Sequence, residues 1–155
     1  MTPFDNALAG YDRIHRNPWN RAFHAIGVPT IMTSLFGLTG LIQSPWPMVN
    51  GATAIILIAF LYILPKSVRA ATGLALFSLV LSYGAQVLAS YMSMMMAAIM
   101  FGAGFVIGWI IQFIGHAFER QPPEFVRSPI NLLLGPLFVL NEVFRVLSFE
   151  RGNQQ

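Results

Sequence analysis

A chain of 155 residues that is 55% hydrophobic and only 10% charged differs from a soluble domain, which usually carries about a quarter charged residues. Together with a mean hydropathy of +0.63, this composition excludes an ordinary soluble protein and predicts a single integral membrane domain over residues 1–155. The net charge of +3 comes from basic residues scattered singly among apolar segments, which excludes a nucleic-acid partner, and the lack of cysteine excludes thiolate metal sites.

The N-terminal segment, residues 1–24, precedes the first long apolar stretch. It contains several charged residues and no apolar core of the kind that a signal peptide requires, so we expect the mature protein to keep it. Within it, Asn17 and Pro18 are typical of a helix cap followed by the first helical residue. The segment also carries His15 and His24, which are two of the three histidines of the chain.

Four apolar segments without charge follow within residues 25–115, and each predicts a transmembrane helix. They cover residues 25–42, 49–64, 70–89 and 92–115. The second is short for a bilayer core of roughly 30 Å. In the fourth, the small residues Gly102, Gly104 and Gly108 predict close contact with another helix.

The C-terminal segment contains a fifth apolar stretch, residues 129–147. At helical spacing its polar residues, among them Asn131 and Glu142, fall on one stripe, so this helix either lies in the interface or re-enters the membrane. A kink at Gly135-Pro136 would allow the second arrangement. The predicted architecture is therefore all-α, with about four transmembrane helices and a C-terminal interfacial or re-entrant helix.

The basic residues indicate how the chain is oriented. All nine lie before the first span, between the second and third spans, or after the fourth, and the loops near Gln43 and Ser90 carry none. The positive-inside rule then places both ends, 1–24 and 116–155, in the cytoplasm. Short loops and the absence of a retrieval signal favour a bacterial inner membrane over the endoplasmic reticulum, and a homo-oligomer stays among the open alternatives.

This topology places His15, His24 and His116 near one membrane face. Three neutral imidazoles suit zinc, copper, nickel or ferrous iron, and such a site leaves coordination positions open for substrate. The alternative is that these histidines only bind headgroups or carbonyls, in which case the protein is a non-catalytic scaffold or a transporter subunit.

Polar neighbours accompany two of these histidines. Asn20 lies one helical turn before His24, and Gln112 and Glu119 lie about one turn on either side of His116. We predict that Asn20, Gln112 and Glu119 are catalytic. Glutamates such as Glu119 and Glu142 could also serve as further ligands or fix an imidazole tautomer, with an ordinary salt bridge as the alternative.

Two motifs carry a family resemblance, and a later Gly135-Pro136 and Glu142 accompany them. The motifs are Tyr11-x3-His15-x4-Asn20-x3-His24-x2-Gly27-x-Pro29 and Trp109-x2-Gln112-Phe113-x-Gly115-His116-x2-Glu119. Their order and separation resemble those of the small membrane proteins related to the yeast 2-hydroxy fatty acid dioxygenase. The resemblance implies an iron(II) enzyme of fatty acid α-oxidation, acting in yeast in phytosphingosine breakdown, with His15, His24 and His116 binding Fe(2+).

The chemistry that the resemblance implies agrees with the residues. A 2-hydroxy fatty acid and dioxygen would give the one-carbon-shorter acid, carbon dioxide and water with all electrons balanced, so no reductase is needed. The acyl chain would lie among the helices beside membrane lipid, and we expect Arg16, Arg21, Arg120 and Glu142 to contribute to substrate binding at the polar head. A zinc-dependent lipid hydrolase, which would work without oxygen, is the enzymatic alternative.

Overall fold

Five α-helices and one 3-10 helix occur in the part of the chain that the computed structural model describes. The described residues are Gly10, 17–46, 49–119 and 129–152. Among them, side chains are described up to residue 118 and again from 131 to 143. In chain order they are α1 (Pro18–Gly40), α2 (Gly51–Ile63), α3 (Val68–Ser90), α4 (Met94–Glu119), the 3-10 helix (Pro129–Leu133) and α5 (Leu134–Gly152). Over these ranges the only β pairing is an isolated bridge between Gln43 and Asn50. The prediction of an all-α membrane protein is confirmed.

Local capping explains where the first three helices begin. Asn17 accepts a hydrogen bond from the backbone N–H of Trp19, and Pro18 is the first helical residue, as predicted. Asn50 and Thr53 form a reciprocal capping box at the start of α2. A polar side chain therefore satisfies backbone N–H groups at each of these ends, where no helical partner exists.

Three helices are long and apolar enough to cross a membrane, namely α1, α3 and α4. The second predicted span, 49–64, forms only the 13 residues of α2, which rise about 20 Å against a hydrocarbon core of roughly 30 Å. The physical reason lies at its two ends. Asn50 caps the start, and Pro65 follows the last turn, where a proline disfavours further helix.

The helix α1 occupies the centre of the bundle. It packs along α4 and also contacts α2, α3 and α5, while α2 and α5 each pack against α3. Because consecutive helices run antiparallel, the start of α1 and the end of α4 lie together, and we call this the site end. Arg21, Lys66 and Arg69 lie at this end, in agreement with the predicted segregation of basic residues, while their orientation towards the cytoplasm stays a prediction.

Glycines allow α1 and α4 to approach closely. A Cβ atom on Gly108 would lie 2.7 Å from Ile31 Cγ1 and 3.1 Å from its backbone nitrogen, and one on Gly104 would lie 2.5 Å from Ser34 Oγ. Both contacts confirm the prediction for these two positions. Gly102 differs, because a Cβ atom there would meet nothing within 4 Å.

The first half of α5 is buried in the main hydrophobic core instead of lying on its surface. Leu134, Leu137 and Phe138 pack there with residues of α1, α2 and α3. A Cβ atom on Gly73 of α3 would come within 2.9 Å of Leu140. This burial shows that the segment packs into the bundle, while the choice between the interface and re-entry into the membrane stays a prediction.

The paired substitutions Gly108→Ala and Gly102→Ala test the packing of α1 on α4. We expect Gly108→Ala to lower the melting temperature in detergent, because overpacking usually costs about 1–3 kcal/mol. Gly102→Ala should raise it slightly, since alanine in an open helical position is favoured over glycine by up to about 1 kcal/mol. Equal effects at both positions would contradict this account of the interface.

Candidate active site

His24 of α1 and His116 of α4 meet inside the bundle although they are 92 residues apart in sequence. Their ring centroids are 4.9 Å apart and the rings are nearly perpendicular, at 77°. The two side chains are buried, with exposed fractions of 1% and 8%. The structure thus brings two of the three predicted metal ligands into contact, and within the described ranges no cluster of three or more histidines, aspartates or glutamates occurs.

The backbone of α1 fixes the tautomer of His24. Its Nδ1 lies 3.0 Å from the carbonyl oxygen of Asn20, one turn earlier in the same helix. A carbonyl oxygen only accepts hydrogen bonds, so Nδ1 carries a proton, and in the neutral imidazole Nε2 then carries the lone pair. Histidines that bind metals usually have this second hydrogen bond, which orients the ring and raises its basicity.

The side-chain amide of Asn20 is fully buried, and neither its nitrogen nor its oxygen has a hydrogen-bond partner among the described residues. The amide lies against α4, where a Cβ atom on Gly115 would be 2.6 Å from Asn20 Oδ1. Leaving a buried polar group unsatisfied costs about 1–3 kcal/mol. Such a group in a native protein requires an explanation, and a bound ligand or ion is one.

A cavity of about 370 Å³ begins at the histidine pair and continues between the helices. Its volume falls within the range of roughly 300–1,000 Å³ that is usual for small-molecule sites. The polar side chains at the site end are His24, His116, Gln112 and Asn131, and apart from Ser78 the other lining side chains are apolar. Gln112 is buried and lines the cavity beside His116, one turn earlier in α4, as its spacing predicts.

The residues that line the cavity extend far along two of the helices. Along α1 its lining residues extend from His24 to Phe36, which follows 12 residues later. At 1.5 Å per residue, this stretch of helix is about 18 Å long. On α4 the lining extends in parallel from His116 to Phe105.

Arg21 and Glu142 form a bidentate ion pair that links α1 to α5 beside the site. Arg21 Nε donates to Glu142 Oε2 at 3.0 Å, and Nη2 donates to Oε1. The guanidinium also lies 5.2 Å from the ring centroid of Phe138, and that ring makes an edge contact with His24. Neither Arg21 nor Glu142 lines the cavity. The structure instead pairs these two predicted substrate-binding residues with each other.

Several predicted site residues lie outside the described residues of the chain. His15, Arg16 and Arg120 are not among the described residues, and Glu119 is described only as the last residue of α4, without its side chain. Conversely, Asn131 lines the cavity, although the sequence places it only on the polar stripe of the C-terminal segment. An asparagine within an apolar stretch is the signal that could have identified it.

Comparison with known proteins assigns the family. Residues 1–147 match the family described as Mpo1-like, 2-hydroxy-palmitic acid dioxygenase Mpo1-like. The chain belongs to the Mpo1-like family. It is 31% identical over 149 residues to the 2-hydroxy-palmitic acid dioxygenase MPO1 of Saccharomyces cerevisiae, an alignment that covers 92% of this chain and 80% of the yeast protein. No solved structure matches this Mpo1-like chain, and the predicted family resemblance is confirmed.

A double-mutant cycle tests the ion pair in this Mpo1-like protein. We expect Arg21→Met and Glu142→Gln each to lower the free energy of unfolding in detergent by about 1–3 kcal/mol, because each leaves a charge partly buried. The double variant should lose less than the sum, with a coupling of about 0.5–3 kcal/mol. Arg69→Met, which removes an exposed arginine, is the control, and strict additivity would contradict a direct pair.

Proposed function

We propose that this protein is an iron(II)-dependent dioxygenase that converts 2-hydroxy fatty acids into the one-carbon-shorter fatty acid and carbon dioxide. The observation that carries the proposal is the buried contact between His24 and His116 at the polar end of a long apolar cavity. Membership of the Mpo1-like family supports a related activity, since the yeast relative is named a 2-hydroxy-palmitic acid dioxygenase.

The residues at this end fit an iron ion by the chemistry of their donors. His24 offers Nε2 with its lone pair, the ring of His116 lies beside it, and the amide of Asn20 is buried without a partner among the described residues. In our proposal His15 completes a set of three imidazoles. Bound there, iron(II) would supply a Lewis acid for the hydroxyl and carboxylate oxygens and electrons for dioxygen.

The side chains of the cavity have separate tasks in this proposal. Gln112 and Asn131 line its polar end, where their amides can bind the carboxylate or hydroxyl group of the substrate. The apolar wall binds the acyl chain and excludes water from the reacting carbon atoms. Because His24 is held by the backbone carbonyl of Asn20, its ring keeps one orientation throughout.

The length of the cavity agrees with a long acyl chain. Three backbone bonds of an extended polypeptide span at most about 3.5 Å, so an extended chain advances about 1.2 Å per bond. An acyl chain that lies along this lining stretch of about 18 Å would have about fifteen bonds. This is close to the length of a palmitoyl chain, the acyl group that the name of the yeast relative contains.

The net reaction is balanced without a further reductant. The bond between the first two carbons of the substrate breaks, the first carbon leaves as carbon dioxide, and the second is oxidised from an alcohol to a carboxylic acid. One dioxygen molecule accepts the four electrons, and its atoms are recovered in the products, one of which is water. We therefore propose that the protein acts without a reductase.

Metal analysis and activity of histidine variants test this function. The full-length protein, purified without chelators and supplied with iron(II), should retain stoichiometric iron and consume oxygen with a 2-hydroxy fatty acid. His24→Ala and His116→Ala should each lose the iron and lower kcat/KM by at least about a hundredfold, since even outer partners of metal ligands contribute about 10- to 100-fold. His15→Ala, measured alongside, tests the third proposed ligand.

Ser90→Ala, at the opposite end of the bundle, is the control and should keep both iron and activity. Wild-type protein that binds no iron and consumes no oxygen would refute the proposal and favour a non-catalytic membrane scaffold. Bound zinc with product formation under anaerobic conditions would instead favour a lipid hydrolase.

Replacement of Asn20 by leucine separates function from stability. Because both amide atoms lack a hydrogen-bond partner among the described residues, Asn20→Leu should not lower the melting temperature. In contrast, kcat/KM should fall by about 10- to 100-fold if the amide acts beside the metal ligands. Asn50→Leu is the matched control, since Asn50 caps α2 and its loss should cost about 1 kcal/mol without changing kcat/KM. Full activity of Asn20→Leu would remove Asn20 from the site.

A further inference from the structure

The cavity is lined by all five α-helices and by the 3-10 helix, and on α1 to α4 its lining stops before the helix end that is farthest from the site. Its lining residues farthest from the site end are Phe36 on α1, Ile55 on α2, Ser78 on α3 and Phe105 on α4. Phe36 is almost completely buried and belongs to the main hydrophobic core. Its ring therefore stands at the end of the cavity opposite the histidines.

Part of the space beyond this level is occupied by a second hydrophobic cluster. Ala85, Ala97 and Phe101 are buried there, and Leu38 and Leu41 of α1 pack against them. The ring of Phe101 lies so close to Gly37 that any Cβ atom there would overlap it. A separate cavity of about 360 Å³ lies on the far side and shares no lining residue with the first. The first cavity is thus separate from the second, and Phe36 stands between them on α1.

We propose that Phe36 is the floor of the acyl-chain cavity and sets the longest 2-hydroxy fatty acid that the protein accepts, an inference that rests on the proposed function. The polar head is held at the site end by His24, His116 and their neighbours, so the end of the acyl chain reaches a depth fixed by its length. At about 1.2 Å per bond, a chain of about sixteen carbons reaches Phe36.

The dependence on chain length follows from the two environments of the substrate. Both the bilayer and the cavity are apolar, so each methylene added up to the floor leaves kcat/KM nearly unchanged when substrates are compared at equal membrane fraction. A longer chain must displace packed side chains. Overpacking of this kind should lower kcat/KM by about ten- to a hundredfold.

A homologous series of saturated 2-hydroxy fatty acids, assayed with the full-length iron-loaded protein in lipid nanodiscs, tests the floor. With the wild type, kcat/KM should stay nearly constant up to about sixteen carbons and then fall by about tenfold or more. Phe36→Ala should move this fall to longer chains. Phe77→Ala is the matched control, because Phe77 packs against the same core without lining the cavity, and it should leave the position of the fall unchanged.

A second substitution, which should shorten the longest accepted acyl chain, also tests the proposed floor of the cavity. Ala59 of α2 lines the cavity one turn nearer the site end than Ile55, so Ala59→Phe should shorten the longest accepted chain by several carbons. Ala54→Phe makes the same change on the exposed face of α2 and should have no such effect. Opposite shifts in Phe36→Ala and Ala59→Phe cannot result from a general loss of stability.

Binding of saturated fatty acids without the hydroxyl group, measured by competition with a fluorescent fatty acid, distinguishes failure of the floor from failure of the proposed function. The same limit in binding, in a protein that turns over no 2-hydroxy acid, would support the floor and refute the dioxygenase. The role of Phe36 would be overturned if the protein turned over even the longest acyl chains without a fall in kcat/KM. It would also be overturned if Phe36→Ala and Ala59→Phe left the longest accepted chain unchanged.

Discussion

The close approach of α1 and α4 is the constraint on which the site depends, because it brings His24 and His116 into contact across 92 residues of sequence. Within a bilayer, helices associate through van der Waals packing, since lipid is as apolar as the helix surfaces. Glycine costs up to about 1 kcal/mol in a helix relative to alanine. At Gly108 and Gly115 this cost allows a close approach of α1, because a Cβ atom would lie 2.7 Å from Ile31 Cγ1 or 2.6 Å from Asn20 Oδ1.

The polarity of the side chains that line the site changes along the length of the bundle. The imidazoles and amides lie near one end of α1 and α4, where burial of ionisable groups costs less than at the bilayer centre. The deeper part of the cavity is almost entirely apolar. Within α1, the carbonyl oxygen of Asn20 orients His24 one turn later, so this part of the site is built into the helix itself. The position of the second ring depends on α4, and the site therefore requires both local and long-range structure.

The sequence predicts most features that depend on local pattern or on spacing along one helix. The all-α architecture, the contacts of Gly104 and Gly108 and the position of Gln112 beside His116 follow from such patterns. The sequence does not predict features that depend on contacts between several segments of the chain. Hydropathy predicts a second span that Asn50 and Pro65 shorten, and no local rule pairs Arg21 with a glutamate 121 residues later or locates a cavity between helices. The cavity arises where side chains of four helices fail to meet, which a single sequence does not reveal.

The short α2 and the buried first half of α5 have a common consequence. Because α2 ends after 13 residues, it cannot cover the full length of its neighbour α3, whose 23 residues rise about 35 Å. Leu134 and Leu137 of α5 belong to the same core cluster as Ala71 and Leu74, which lie near the start of α3. The same C-terminal segment brings Asn131 to the cavity. Residues of the 3-10 helix and the start of α5 thus complete the wall of the cavity at the site end.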